Sequence, residues 1–94
     1  MTKEYILNFL KAHKEELKHK YQVKKIGLFG SYARDEATPE SDIDIIVDMP
    51  SSFDNFFDLK YFLEDAFNKS VDLGKLKNLR LLIKKHVDKE ILYA

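Results

Sequence analysis

Apolar residues at Tyr5, Ile6, Phe9, Leu10, Leu17 and Tyr21 recur in steps of three, four and seven, the spacing that lines one side of a helix. The pattern predicts a single helix from Thr2 to about Tyr21, capped by Thr2, with Lys14, Glu15, Glu16 and Lys18 on a solvated face. The period then shortens. Gln22 to Gly30 reads as a strand carrying Val23, Ile26, Leu28 and Phe29, and Gly27 inside it points to close backbone packing. Gly30 and Ser31 end the strand, and Tyr32 to Ala37 opens as a short helix. Thr38-Pro39-Glu40 is a turn, because Pro39 donates no backbone hydrogen bond and pushes Thr38 out of helical geometry.

Strict alternation follows from Ser41 to Asp48: Ile43, Ile45 and Val47 on one face, Asp42, Asp44 and Ile46 on the other. After the break at Met49-Pro50-Ser51-Ser52, a helix is predicted from about Asp54 to Asn68, capped by Ser52 or Asp54. Its buried stripe is Phe56, Leu59, Leu63, Ala66 and Phe67, widened by Phe57 and Phe62. The aromatic cluster of Phe53, Phe56 and Phe57 reads as core, with a partner surface as the alternative. Lys69 to Gly74 is a short strand with Val71 and Leu73 toward the core and Asp72 away from it. Gly74, Lys75, Leu76 and Lys77 lead into a last helix, Asn78 to about Tyr93, striped by Leu79, Leu82, Ile83, His86, Val87 and Ile91. The order of elements predicts an α/β (α+β) fold, a small mixed β-sheet of about three to four strands packed by helices, in one domain over residues 1–94.

Composition narrows the function classes. Ninety-four residues with 45% hydrophobic and 13% aromatic content suffice for one compact core. Sixteen basic residues balance sixteen acidic ones, so no overall field attracts nucleic acid. Cysteine is absent, which excludes disulfides, thiol catalysis and Cys-ligated metal. No apolar run approaches the ~18 residues of a membrane span and Met-Thr-Lys-Glu is no signal peptide, so a cytoplasmic protein is expected.

Three carboxylates carry the chemical argument. Asp42 and Asp44 project from one side of a strand, ~6 to 7 Å apart along it, and their mutual repulsion is relieved by a cation between them. Mg²⁺ suits such a pair, since it takes oxygen ligands and commonly combines one or two carboxylates with substrate phosphates. Read alone, the pair is also an ordinary acidic strand face. Asp72 shifts that balance if its strand neighbours the first, because three carboxylates on one face can hold the two ions of a phosphoryl-transfer site. Asp72 is then the candidate base for an acceptor hydroxyl. Gly30 and Ser31, with ten residues between Ser31 and Asp42, supply unpaired backbone N–H groups at a helix start for phosphate, with the Ser31 hydroxyl as a further donor or as the helix cap. Arg34 points toward the same phosphates or toward a carboxylate, unless it forms a surface pair with Glu36 or Glu40. Lys75, Lys77 and Arg80 read as solvated, and His13, His19 and His86 share no metal-like spacing.

Together, Gly30, Ser31, Arg34, Ser41, Asp42, Asp44 and Asp72 resemble the minimal nucleotidyltransferase family of the polymerase-beta-like superfamily, marked by Gly-Ser followed by Asp-x-Asp. The matching runs are Gly-Ser-Tyr-Ala-Arg and Thr-Pro-Glu-Ser-Asp-Ile-Asp-Ile-Ile-Val, and the later Val-Asp-Leu and Ile-Leu-Tyr extend the resemblance over almost the whole chain. The resemblance implies the polymerase-beta-like fold and nucleotidyl transfer from a nucleoside triphosphate. It places Mg²⁺, two ions, on Asp42, Asp44 and Asp72, and the nucleotide on Gly30, Ser31, Arg34 and Ser41. Small members of that family are often antitoxins paired with a HEPN-domain toxin, and some place AMP from ATP on a tyrosine of that toxin.

Asp35 departs from the family pattern, which has Gly there; if the backbone needs positive φ, Asp meets that need less well than Gly but better than most residues. A chain this short has no room for an acceptor-recognition domain, so the expected acceptor is a partner protein. That argues against a small-molecule antibiotic transferase, and the neutral charge argues against a polymerase. The rival reading is a binding module that neutralises a partner toxin by complex formation, with the site vestigial.

Overall fold

In the computed structural model, which describes residues 1–78 and 90–94, the first predicted helix is two. Helices α1 (Lys3–Ala12) and α2 (Lys14–Tyr21) meet at His13. The His13 ring stacks on Phe9 with centroids 4.0 Å apart, and its Nδ1 donates to the Phe9 carbonyl at 2.9 Å, closing the end of α1. The seven-residue step from Leu10 to Leu17 hides this break, because a stripe interrupted for one turn still keeps its phase. Thr2 caps α1 as predicted, accepting from the Tyr5 amide at 3.1 Å.

The sheet has strand order β3-β2-β1-β4, with β1 (Lys25–Phe29), β2 (Ile43–Asp48), β3 (Val71–Lys75) and β4 (Leu92–Tyr93). β1 is antiparallel to β2 and to β4, while β2 and β3 are parallel, joined by α4 (Phe53–Phe67). Ser52 caps α4 by accepting from the Asn55 amide at 3.3 Å. One face of the sheet buries Ile43, Ile45, Val47, Leu28, Val71 and Leu73 against α1, α2 and α4, which contribute Ile6, Leu10, Leu17, Leu59, Leu63 and Phe67. The opposite face carries a smaller cluster of Ile46, Leu76 and Ile91, with Phe29 against it.

Several details depart from the sequence-based expectation. Between β1 and β2, α3 (Gly30–Ala33) begins two residues earlier than predicted and is a single turn, ended by the left-handed Asp35. On α4, Ala66 is exposed, and of the aromatic cluster only Phe56 packs against the core, while Phe53 is 77% exposed. Tyr5 also lies largely outside the core at 53% exposed. The C-terminal helix does not reach Tyr93, because Leu92 and Tyr93 pair with Leu28 and Gly27 as β4. Its remaining stripe from Leu79 to Val87 lies outside the described residues, as does Arg80. Gly27 marks the close approach its position suggested: a Cβ there would stand 2.6 Å from Ile91 Cγ2. No helix among the described residues is long and apolar enough to cross a membrane.

Asp35 takes φ 58°, the left-handed region that glycine fills without strain. Its carboxylate pairs with Lys3 Nζ at 2.9 Å, turning it toward α1. Asp35→Ala is expected to destabilise by about 1 kcal/mol, because alanine has no local side-chain hydrogen bond to offset a left-handed backbone. Asp35→Gly removes that cost and is expected to be tolerated, since an ion pair this exposed contributes little. Urea denaturation of the two variants separates the backbone term from the ion pair: equal losses would mean that the pair, not φ, decides.

Candidate active site

The parallel register of β2 and β3 places Asp44 directly opposite Asp72, two residues beyond Asp42. All three leave the main core, because their neighbours Ile43, Ile45, Val71 and Leu73 occupy it and successive strand residues alternate. Asp42 and Asp72 are exposed and Asp44 is half-buried. Burial raises the Asp44 carboxyl above the ordinary range; Asp72 and Asp42 push it further, against the Arg34 guanidinium, and a side-chain hydrogen bond with Asp72 also favours the protonated form. The three carboxylates therefore feel one another. Among the described residues, though, no three His, Asp or Glu side chains already close around one point.

The phosphate-type turn meets this acidic face at Gly30. The strand register sets Phe29 opposite Asp44, so the next residue passes beside the carboxylate. Gly30 has φ 73°, and a Cβ added to it would lie 2.9 Å from Asp44 Cγ and closer still to Oδ2. Only glycine satisfies both the backbone and the space. The N-cap of α3 is Phe29 and makes no side-chain cap, so Ser31 does not cap the helix but sits within its first turn. A single turn has little dipole; what it presents is unpaired backbone N–H.

The other two predicted ligands are engaged within the protein. Arg34 donates from Nε to Glu36 and from Nη1 to Glu90, both at 3.3 Å. The surface pairing with Glu36 is present, and Glu90 joins it. Ser41 Oγ accepts from the Thr38 amide at 2.9 Å while its own amide donates to the Thr38 carbonyl at 3.0 Å, which closes the turn ahead of β2. Three supports were not legible in the sequence. Glu64 accepts from the Val71 amide at 3.0 Å, fixing the start of β3 one residue before Asp72. Lys69 Nζ donates to the Pro39 carbonyl at 2.9 Å, tying the loop before β3 to the loop before β2. Glu90 reaches Arg34 from the far end of the chain. None has a local pattern to announce it, since each acts across the fold.

An oxygen-only donor set, with mutual repulsion concentrated on Asp44 and a glycine cradle beside it, fits a hard divalent cation. A family described as nucleotidyltransferase domain matches residues 10–93, and the chain belongs to that family as an enzyme of nucleotidyltransferase type. Among its relatives, the protein adenylyltransferase MntA of Thermococcus cleftensis is 41% identical over 96 residues, covering 100% of this chain and 97% of its own. MJ0128 of Methanocaldococcus jannaschii is 44% identical over 94 residues, covering 95% of this chain and 94% of its own. A crystal structure of the toxin–antitoxin MntA–HpeT in mutant form shares the fold with TM-score 0.66 at 21% identity, over 99% of this chain and 71% of that one. A crystal structure of a toxin–antitoxin with AMP-PNP gives TM-score 0.56 at 28% identity over 70% of this chain; the match spans 56% of that chain.

Proposed function

We propose that this enzyme moves AMP from ATP to a tyrosine hydroxyl of a HEPN-domain toxin and so acts as that toxin's antitoxin in the cytoplasm. The observation that carries the reading is the meeting of Asp44, Asp72 and Gly30, a carboxylate pair in register beside a glycine turn. The relative named as a protein adenylyltransferase supports AMP and a protein acceptor, and the toxin–antitoxin structures support a toxin as partner.

In this reading Asp42, Asp44 and Asp72 would hold Mg²⁺, two ions, whose charge would offset their mutual repulsion. When bound, the cations supply positive charge to the triphosphate and to the departing pyrophosphate. The Gly30 and Ser31 N–H groups hold phosphate oxygens, with the Ser31 hydroxyl beside them. Arg34 reaches the phosphates by exchanging Glu36 or Glu90 for them, and Ser41 keeps Asp42 in place through its turn. Asp72, the exposed member of the register pair, accepts the proton of the attacking hydroxyl. Most of the acceleration comes from positioning and charge.

The test mixes the protein with labelled ATP, Mg²⁺ and the product of a neighbouring gene, and maps any AMP-sized mass increase by peptide sequencing. Label on a toxin tyrosine is the expected result; no transfer across several nucleotides and toxins would overturn it. One observation favours a second reading, in which binding alone neutralises the toxin: Arg34 and Ser41 are already engaged within the protein. The Asp42→Asn/Asp44→Asn variant discriminates, because neutralisation that survives it needs no transfer.

A further inference from the structure

The outer side of α4 carries three aromatic rings, Phe53 and Tyr61 exposed and Phe57 half-buried between them. Phe53, Phe57 and Tyr61 follow one another at i, i+4 and i+8, the spacing that stacks side chains along a helix. Phe53 and Tyr61 are 77% and 62% exposed. Centroids of Phe53 and Phe57 are 4.6 Å apart, and those of Phe57 and Tyr61 are 6.5 Å apart. The rings brace one another, so little side-chain freedom remains to be lost when something covers them. Along one margin of this ladder runs a row of exposed carboxylates, Asp54, Asp58 and Asp65.

We propose that this ladder and its acidic margin form the docking surface for the acceptor protein, which presents an amphipathic helix with an apolar stripe and a basic flank. The assignment rests on the proposed transfer to a partner protein. Charge selects this occupant. A lipid surface fits less well, because membrane-binding helices flank their apolar face with several cations, and this one has three exposed carboxylates on one margin and a single half-buried Lys60 on the other. A second copy paired through the same ladder would bring two acidic rows together. A helix with Lys or Arg beside its apolar residues satisfies both the rings and the carboxylates. The surface lies across the sheet from Asp42, Asp44 and Asp72, since α4 packs on the main-core face. Docking there leaves the carboxylate face open for the nucleotide and for the segment that carries the acceptor hydroxyl.

The experiment measures Kd for the product of the neighbouring gene, and the kinetics of AMP transfer to it, with wild type, Phe53→Ser/Tyr61→Ser and Asp54→Lys/Asp58→Lys. All four substituted side chains are exposed, and circular dichroism checks that each variant folds. Both variants are expected to weaken binding at least tenfold and to raise KM for the toxin with kcat unchanged. Wild-type affinity is expected to fall with added salt. Unchanged affinity in both folded variants overturns the docking surface, even where transfer itself proceeds. Binding that requires the ladder, with no transfer by wild type, supports the surface and refutes the transfer reading instead. Light scattering of the free protein supplies the remaining arm: self-association that the Phe53→Ser/Tyr61→Ser variant abolishes makes a second copy the occupant and overturns the proposal.

Discussion

Asp44→Asn is expected to reduce nucleotidyl transfer at least ~10²-fold, the scale of losing one group that organises charge at the transition state, while making the metal-free protein more stable. The two effects have one cause. Asp44 lies half-buried between Asp72, directly opposite, and Asp42, and its carboxyl is raised by burial first and by those two neighbours next. A carboxyl raised in the folded state binds its proton more tightly there than in the unfolded chain. Its contribution to stability is therefore fully present below the ordinary Asp pKa, and it is lost as pH rises through the folded value. At neutral pH the ionised group is a burden on the metal-free fold, which Asn removes without changing the shape. Wild type is accordingly expected to lose stability as pH rises from the ordinary carboxylate range, and to regain it on addition of Mg²⁺. Asp44→Asn should show a smaller pH slope and a smaller Mg²⁺ response. Thermal melts from pH 4 to 8, with and without Mg²⁺, measure both; an Asn variant that is less stable than wild type at neutral pH without metal would show that Asp44 is structural.

Gly30→Ala should be the most damaging single methyl group that can be added to the site. The backbone there has φ 73°, which costs an alanine ~1 to 2 kcal/mol, and the new Cβ would press on the Asp44 carboxyl, 2.9 Å from its Cγ. A loss of at least ~2 kcal/mol is expected, which in a domain this size lowers Tm by roughly 10 °C. Activity should fall ~10²-fold in the protein that remains folded, because displacing a catalytic group by an ångström is enough for that. The double variant Gly30→Ala/Asp44→Ala makes the argument specific. Removing the carboxylate relieves the contact but not the backbone strain, so the double variant should be less unstable than the sum of its singles. Strict additivity in denaturant melts would mean that Gly30 is required for φ alone.

Much of this molecule was legible along the chain because its local rules agree. Alternation from Ile43 to Asp48 gave β2 its buried and acidic faces, and Val71, Asp72 and Leu73 did the same for β3. The Ser52 cap marked the start of α4 to within one residue. Asp35 stood out as a residue where a glycine is expected, and its φ of 58° is the reason a glycine would fit. The resemblance to the family rested largely on Gly30-Ser31 followed by Asp42-x-Asp44, a motif carried within one stretch of the chain.

The tertiary structure decided what no local pattern encodes. Period two told which face Asp44 and Asp72 occupy, but only the parallel pairing put them opposite each other, and that pairing depends on α4 carrying the chain back to the same end of the sheet. The place of Gly30 against Asp44 depends on the same register, one strand over. Leu92 and Tyr93 fell at the end of the last helix expected from the sequence and became a strand because the edge of β1 offered its hydrogen bonds, and Gly27 the space beside them. Phe53, Phe57 and Tyr61 were apolar in any window, yet whether they face a core or a partner is set by which side of α4 the sheet takes. Periodicity fixes faces; contacts between distant segments fix what each face meets.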